Sequence, residues 1–350
     1  MLLLGPWPKP ERGLTGGARI SMRSLVNYLQ REEYPFLRLD IRPLESRWGL
    51  AISSLLVWAR TWWSRREYDL IWLNASHRGL VYLAPGLYLL ARLLGKKIVI
   101  RPFGTGWYAQ YTRANALSRS LFRRSVLAAD LLFLQTRALM TALANQGVHM
   151  AHLPTSRPEP PTSLQRNRAT FSGRLVYLGH IKTSKGISQL LELLPTLPEG
   201  YTLHLYGPIK EPQYASLQGQ PQVYRGVLTA EEVLPTLAQY DVLLLPTFFA
   251  GEGYPGVIIE AFSLGVPVIT TRWKDIPEIV ADGQTGFLVE PRSSSALRVA
   301  IDRLAQANYA GLSRAARLTF QQYHHENKVL AQALRIITNL YLAHSKKPTT

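Results

Sequence analysis

The stretch "RLVYLGHIKTSKGISQLLELLPTL" (174–197) moves from an unbroken apolar run, through a loop of Gly, His and Lys residues, into a helical pattern. The chain opens in the same order. "LLLGP" (2–6) leads into a loop holding Gly16-Gly17 and then into "ARISMRSLVNYLQREE" (18–33). Further short β-type runs alternate with helical segments: "DLIWLN" (69–74), "KIVIRP" (97–102), "DLLFLQT" (130–136), "YTLHLYG" (201–207), "QVYRG" (222–226), "DVLLLP" (241–246) and "VPVITT" (266–271). Near-continuous apolar strands separated by helices are what a parallel sheet covered on both faces requires. The reading is α/β, doubly wound in both halves, with ligands expected at the carboxyl ends of the strands and the chemistry between the two domains.

A length of 350 residues exceeds what a single core usually fills, so two domains are expected. The segment 153–173 has four prolines and no periodicity and reads as the connection. The expected division is 1–155 as the first domain, 156–172 as linker, 173–320 as the second domain, and 321–350 as a helix packing back on the first.

An apolar share of 47% argues against disorder, and the absence of cysteine excludes disulfides, thiolate zinc sites and cysteine nucleophiles. "GLVYLAPGLYLLA" is too short to span a bilayer, and "MLLLGPWPKPERG" lacks the basic start of a signal peptide. The net charge of +17 lies almost wholly in the first half, with +15 over residues 1–168 against +2 over 169–350. Seven of the eight tryptophans are there too, with Trp58, Trp62 and Trp63 among the four in "SRWGLAISSLLVWARTWWSRREYD" (46–69). A basic, Trp-rich half is suited to an anionic surface, either lipid headgroups or nucleic acid.

In "GEGYPGVIIE" (251–260), Glu252 is expected on the loop after "DVLLLP" and Glu260 about one turn into the next helix. Carboxylates accept hydrogen bonds from paired hydroxyls, so a ribose or sugar suits them, although a solvated loop acid and a structurally paired helix acid would look the same. Gly256 and Val257 lie at the helix start, where free N–H groups can meet an anion. His180 and Lys185 offer donors to phosphate oxygens, and Gly16 and Gly17 form a possible amide cradle in the other half. No GxxxxGK[ST] occurs, the GxGxxG of "GEGYPG" (251–256) does not directly follow a strand, and there is no D-x-D pair, so positive side chains rather than a metal would have to neutralise a diphosphate.

Together these segments resemble the donor domain of the retaining GT-B glycosyltransferases of family 4. The matching pieces are "YLGHIKTSKGI", "YGP", "YRGVLTAEEVLPTLAQYDVLLLPT", "EGYPGVIIE", "AFSLGVPVITT" and "DIPEIVADGQTGFLVEP", from about 174 to 305. The resemblance implies two Rossmann-like domains facing a central cleft. It gives Glu260 the ribose hydroxyls, Glu252 the donor-sugar hydroxyls, Lys185 the leaving diphosphate, and the amides at Gly256 and Val257 the sugar and phosphate. Gly16 and Gly17 would close on the β-phosphate, and loops near Tyr206-Gly207 and Val227-Leu228 would meet the base and sugar. His180 stands where the family usually has arginine, so Lys182 or an arginine from elsewhere would compensate. Phe103 lies near the usual active-site histidine of the first domain, where Arg101 or His77 could act instead.

The expected activity is transfer of a hexose from a nucleotide-diphosphate sugar to a lipid-linked, polysaccharide-precursor or other amphiphilic acceptor, with retention and without a metal or other cofactor. The expected place is the cytoplasmic face of the plasma membrane, held peripherally by anionic lipid and with no nucleic acid partner. The alternatives are a GT-B nucleotide-sugar epimerase and a catalytically decayed basic lipid- or nucleic-acid-binding protein.

Overall fold

The computed structural model describes residues 1–7, 17–41, 47–164 and 169–345, without side chains at 47–51 and 343–345. Two compact units result, one formed by 1–154 (apart from a short stretch of the undescribed residues) together with the segment from Glu326 onward, the other by Thr155–His325.

The first unit has a six-stranded sheet of β1 (Leu2–Gly5), β2 (Leu37–Asp40), β3 (Leu70–Ala75), β4 (Lys97–Pro102), β5 (Leu131–Leu134) and β6 (Met150–His152). Every pairing is parallel and the order is β2-β1-β3-β4-β5-β6. Both faces of the inner strands are buried, which is why β1, β3, β4 and β5 read as nearly unbroken apolar runs. Leu2, Leu4, Ile71, Leu73 and Ile100 point into one core, whereas Leu3, Trp72, Val99 and Phe133 point into the other. The second face is covered by Met22, Leu25 and Leu29 of the helix Gly17–Arg31 and by Val329, Leu330 and Leu334 of the helix Glu326–Ser345. These two helices are further joined by Ser24 Oγ donating to the buried Glu326 carboxylate.

The second unit has a five-stranded sheet of β7 (Arg174–Leu178), β8 (Thr202–Tyr206), β9 (Val242–Leu245), β10 (Val268–Thr271) and β11 (Gly286–Val289), again parallel throughout and ordered β11-β10-β9-β7-β8. Chain direction across this sheet reverses at β7, so the crevice beyond the carboxyl ends of β7 and β9 is its topological switch point, where open α/β sheets bind ligands. The two sheets place the chain in the α/β, doubly wound class.

One expected strand is absent. "QVYRG" makes only an isolated bridge, Leu205 to Tyr224, because it leaves a turn at Gln220 and ends at Gly226, whose φ of 87° breaks extended backbone. Conversely, β2, β6 and β11 are not among the runs expected. In β2 only Leu39 is buried and in β6 no residue is, so neither carries a continuous apolar signal.

Candidate functional site at the switch point of the second sheet

Two loops meet beyond β7 and β9. After β7 the chain makes a tight turn, Thr183–Lys185, anchored by Thr183 N and Oγ1 donating to Glu211 Oε2 at 2.9 and 2.6 Å. Gly186 then takes a left-handed φ of 78°, and a Cβ there would collide with the Pro246 carbonyl at the end of β9. Glycine is required by this backbone contact. Phe248 N donates to Ser184 O at 2.9 Å, completing the seam.

The seam brings Lys185 to Glu252, and their side chains form an ion pair with little exposure. Thr247, fully buried, donates from Oγ1 to Glu252 Oε2 at 2.6 Å, and its own carbonyl accepts from Thr271 Oγ1. The carboxylate is therefore fixed from two sides. Phe249 carries the cations: Lys182 Nζ lies 3.5 Å from its ring centroid and Lys185 Nζ 5.3 Å. Its carbonyl accepts from Trp273 Nε1 at 2.9 Å.

His180 lies in the β7 loop, its carbonyl held by Tyr177 Oη at 2.8 Å. Burial, followed by Lys210, Lys185 and Lys182, lowers its pKa below the ordinary histidine value, so the ring is neutral at pH 7. Burial and Lys185 also lower the pKa of Lys182. Lys182 and Lys185, in the loop that follows β7, are donors that an anionic ligand could meet there. Tyr177, wholly buried and beside Glu252, has its pKa pushed well up, chiefly by burial, and remains a neutral phenol.

Glu260 lies in the fifth position of the helix Gly256–Ser263, which has no side-chain cap. Arg157 Nε donates to its Oε1 at 2.7 Å. Val227 is exposed on the loop after Gly226, whose carbonyl accepts from Gly207 N at 2.8 Å, so the Tyr206-Gly207 and Val227 loops adjoin.

In the first unit Arg101 is buried at the end of β4, with Nη2 directed to Pro154 O at 3.4 Å and Cζ 5.3 Å from the Phe103 ring. His77 begins the helix His77–Tyr82; its Nδ1 is buried without a hydrogen-bond partner, and burial lowers its pKa. Gly17 is exposed at the start of its helix, and Gly16 lies outside the described residues.

Two residues escaped the sequence reading. Asn74, at the end of β3 and in register with Arg101, is completely buried with both amide atoms unpartnered. A polar residue closing an otherwise apolar strand was its only signal. Arg157, the partner of Glu260, lies in the segment read as linker, where nothing marks one basic residue above another.

Residues 172–307 match the family model for glycosyl transferases group 1. The sulfoquinovosyl transferase SQD2 of Arabidopsis thaliana is 32% identical over 121 residues, 33% of this chain and 23% of that one. The capsular polysaccharide biosynthesis glycosyltransferase CapM of Staphylococcus aureus is 31% identical over 137 residues, 37% and 35%. The chain thus spans well under half the length of either relative. The crystal structure of Anabaena Alr3699/HepE in complex with UDP superimposes with a TM-score of 0.71 at 18% identity, covering 97% of this chain and 99% of that one, a likeness of fold. Residues 172–307 are therefore similar to the glycosyl transferases group 1 family, and the chain that carries them shares the fold of GT-B glycosyltransferases.

Proposed function

We propose that the protein is a retaining glycosyltransferase that moves a hexose from a nucleotide-diphosphate sugar to a lipid-linked or saccharide acceptor in polysaccharide biosynthesis. The observation that carries this reading is the meeting of Lys185 and Glu252 at the switch point of the second sheet, with Glu260 in the same connecting segment. Lysine charge at a leaving diphosphate stabilises the negative charge that develops as the sugar–phosphate bond breaks. The acceptor oxygen attacks the anomeric carbon from the face that the phosphate leaves, and the departing phosphate oxygen takes the acceptor proton. No protein nucleophile is needed. Glu252 and Glu260 accept from sugar and ribose hydroxyls, and Lys182, Lys185 and Lys210 supply the charge that a metal would otherwise give.

The test is thermal stabilisation by UDP, GDP and ADP and by their sugars, with transfer then assayed in EDTA. One nucleotide should raise the melting temperature, the shift should vanish in Glu260→Ala, and transfer should persist without divalent cation. Indifference to every nucleotide overturns the reading, and loss of transfer in EDTA overturns its metal-free form.

The acceptor is proposed to be reached at an anionic membrane. No described helix is long and apolar enough to cross one. The helices Arg47–Trp63, Ala84–Leu93 and Ala116–Ser125 pack side by side on the first sheet. Their outer faces expose Ile52, Leu55, Leu56, Trp63, Leu93 and Leu117, with Trp63 83% and Leu117 81% exposed. Trp58, by contrast, turns inward and donates to Leu83 O at 3.1 Å. Arg60, Arg66, Arg119 and Arg123 are exposed on or beside the same helices. Apolar side chains flanked by arginine suit a headgroup boundary. Flotation should recover the protein with phosphatidylglycerol vesicles, much less with phosphatidylcholine, and not after Leu56→Asp with Trp63→Asp. Absence of wild-type binding to either vesicle removes the membrane from the proposal.

A further inference from the structure

The ion pair between Arg157 and Glu260 joins a proline-rich segment to the helix Gly256–Ser263 across 103 positions of sequence. Both side chains are largely shielded, at 6% and 13% exposure. Breaking such a pair leaves an uncompensated charge, so its geometry is firmly set.

Arg157 is held at every point but one. Its backbone N donates to His324 O at 3.0 Å, its segment bridges to His325, and Nη1 donates to Ser156 O at 3.0 Å. Nε is committed to Glu260 Oε1. The remaining nitrogen, Nη2, lies where a Cβ on Gly256 would be, with Cζ 3.0 Å from that position. Gly256 is thus needed for the guanidinium to lie flat against the helix start. The space beside this glycine is occupied by Arg157.

On Glu260, only Oε1 is engaged, and Oε2 has no hydrogen-bond partner among the described residues. A carboxylate has lone pairs to spare on each oxygen. With one oxygen fixed by a rigid cation, the free one presents a fixed acceptor edge. Vicinal hydroxyls are the group that such an edge suits. We infer that Arg157 is the positioning residue that turns Glu260 toward the ribose hydroxyls of the donor, so that discrimination between ribo- and deoxyribonucleotides depends on it. The inference rests on the reading of this site as a nucleotide-sugar site, and concerns how the ribose is recognised there.

The experiment compares UDP, GDP and ADP with their 2′-deoxy forms, by calorimetry, in the wild type and in Arg157→Ala, Arg157→Lys and Gly256→Ala. Glycine 256 gives a second route, because the added methyl must displace the guanidinium without deleting a polar group. A carboxylate's hydrogen bond to a hydroxyl is worth about ten- to a hundredfold in affinity, so the wild type should prefer the ribonucleotide by that factor. In Arg157→Ala and Gly256→Ala the preference, read as the ratio of the two affinities within each variant, should fall to about threefold or less, and Arg157→Lys should restore part of it. If ribo- and deoxynucleotide affinities fall together, or neither falls, Arg157 is only structural and the inference fails while the donor reading stands. If the wild type binds none of the three nucleotides, the donor reading itself fails. Should Arg157→Ala unfold, Gly256→Ala decides by the same criterion.

Discussion

Lys185→Met is expected to lower turnover of sugar transfer by roughly 10²–10³-fold, the usual effect of removing one group that stabilises charge developing in a transition state. The Michaelis constant for the donor should change much less, because Lys182 and Lys210 remain to attract the diphosphate. A structural objection is that Lys185 also neutralises Glu252, so its loss strands a shielded carboxylate. The double variant Lys185→Met, Glu252→Gln, compared with Glu252→Gln alone, separates the two effects. With the stranded charge gone, thermal stability should return toward that of the wild type, while turnover stays low. Recovery of turnover together with stability would show that Lys185 acts through folding alone. Wild-type turnover in the single variant would remove it from the chemistry.

The largest effect on stability is expected at the opposite end of the same sheet. Asp241, at the start of β9, is buried and accepts four hydrogen bonds: Ser172 N at 3.0 Å, Ser172 Oγ at 2.7 Å, Arg174 N at 3.0 Å and Arg174 Nη2 at 2.9 Å. Its backbone N–H donates to Arg174 O and its carbonyl accepts from Tyr309 Oη, both at 2.8 Å. One carboxylate therefore secures the entry to β7 and the start of β9. Burial alone would raise its pKa, but the hydrogen bonds from Arg174 and Ser172 outweigh burial and hold it below the ordinary carboxylate value. A depressed pKa contributes stability that is fully present above the unfolded value, about 4, and is lost as pH falls through the folded value. Asp241→Asn is expected to cost about 3 kcal/mol at pH 7 in urea unfolding and to flatten the fall in stability below about pH 4. Because Asp241 lies at the amino end of the strands, kcat of the folded variant should be preserved. An unchanged acid profile would show that its ionisation does not stabilise the fold.

How much of this was legible in the sequence depended on whether a signal was local. The strands β7, β9 and β10 are buried almost throughout and read as continuous apolar runs, so the α/β class followed from them. The edge strands of the first sheet gave no such run: in β2, "LRLD", an exposed arginine separates the leucines, and in β6 no residue is buried. Lys185 and Glu252 could be found because each sits in a loop that directly follows a strand, and neighbouring parallel strands bring such loops together. Arg157 could not be found in this way. Its neighbours are prolines, serines and threonines without periodicity, and its importance lies in a contact made only once the segment has folded onto the helix that bears Glu260. Asn74 was hidden for another reason. A buried amide without partners is defined by what surrounds it, and the sequence shows only a strand ending in a polar residue.

The first unit has its own sheet encoded before Thr155, yet one face of that sheet is closed by the helix Glu326–Ser345. A ribosome adding about 5–20 residues per second spends on the order of ten seconds translating the intervening segment. Throughout that interval the nascent chain lacks the side chains of Val329, Leu330 and Leu334 that cover Leu3, Trp72 and Phe133. The inserted unit, by contrast, is encoded without interruption and can complete its core first. The first unit therefore cannot close its core until the inserted one has been translated, and Leu3, Trp72 and Phe133 stay uncovered on that face until then.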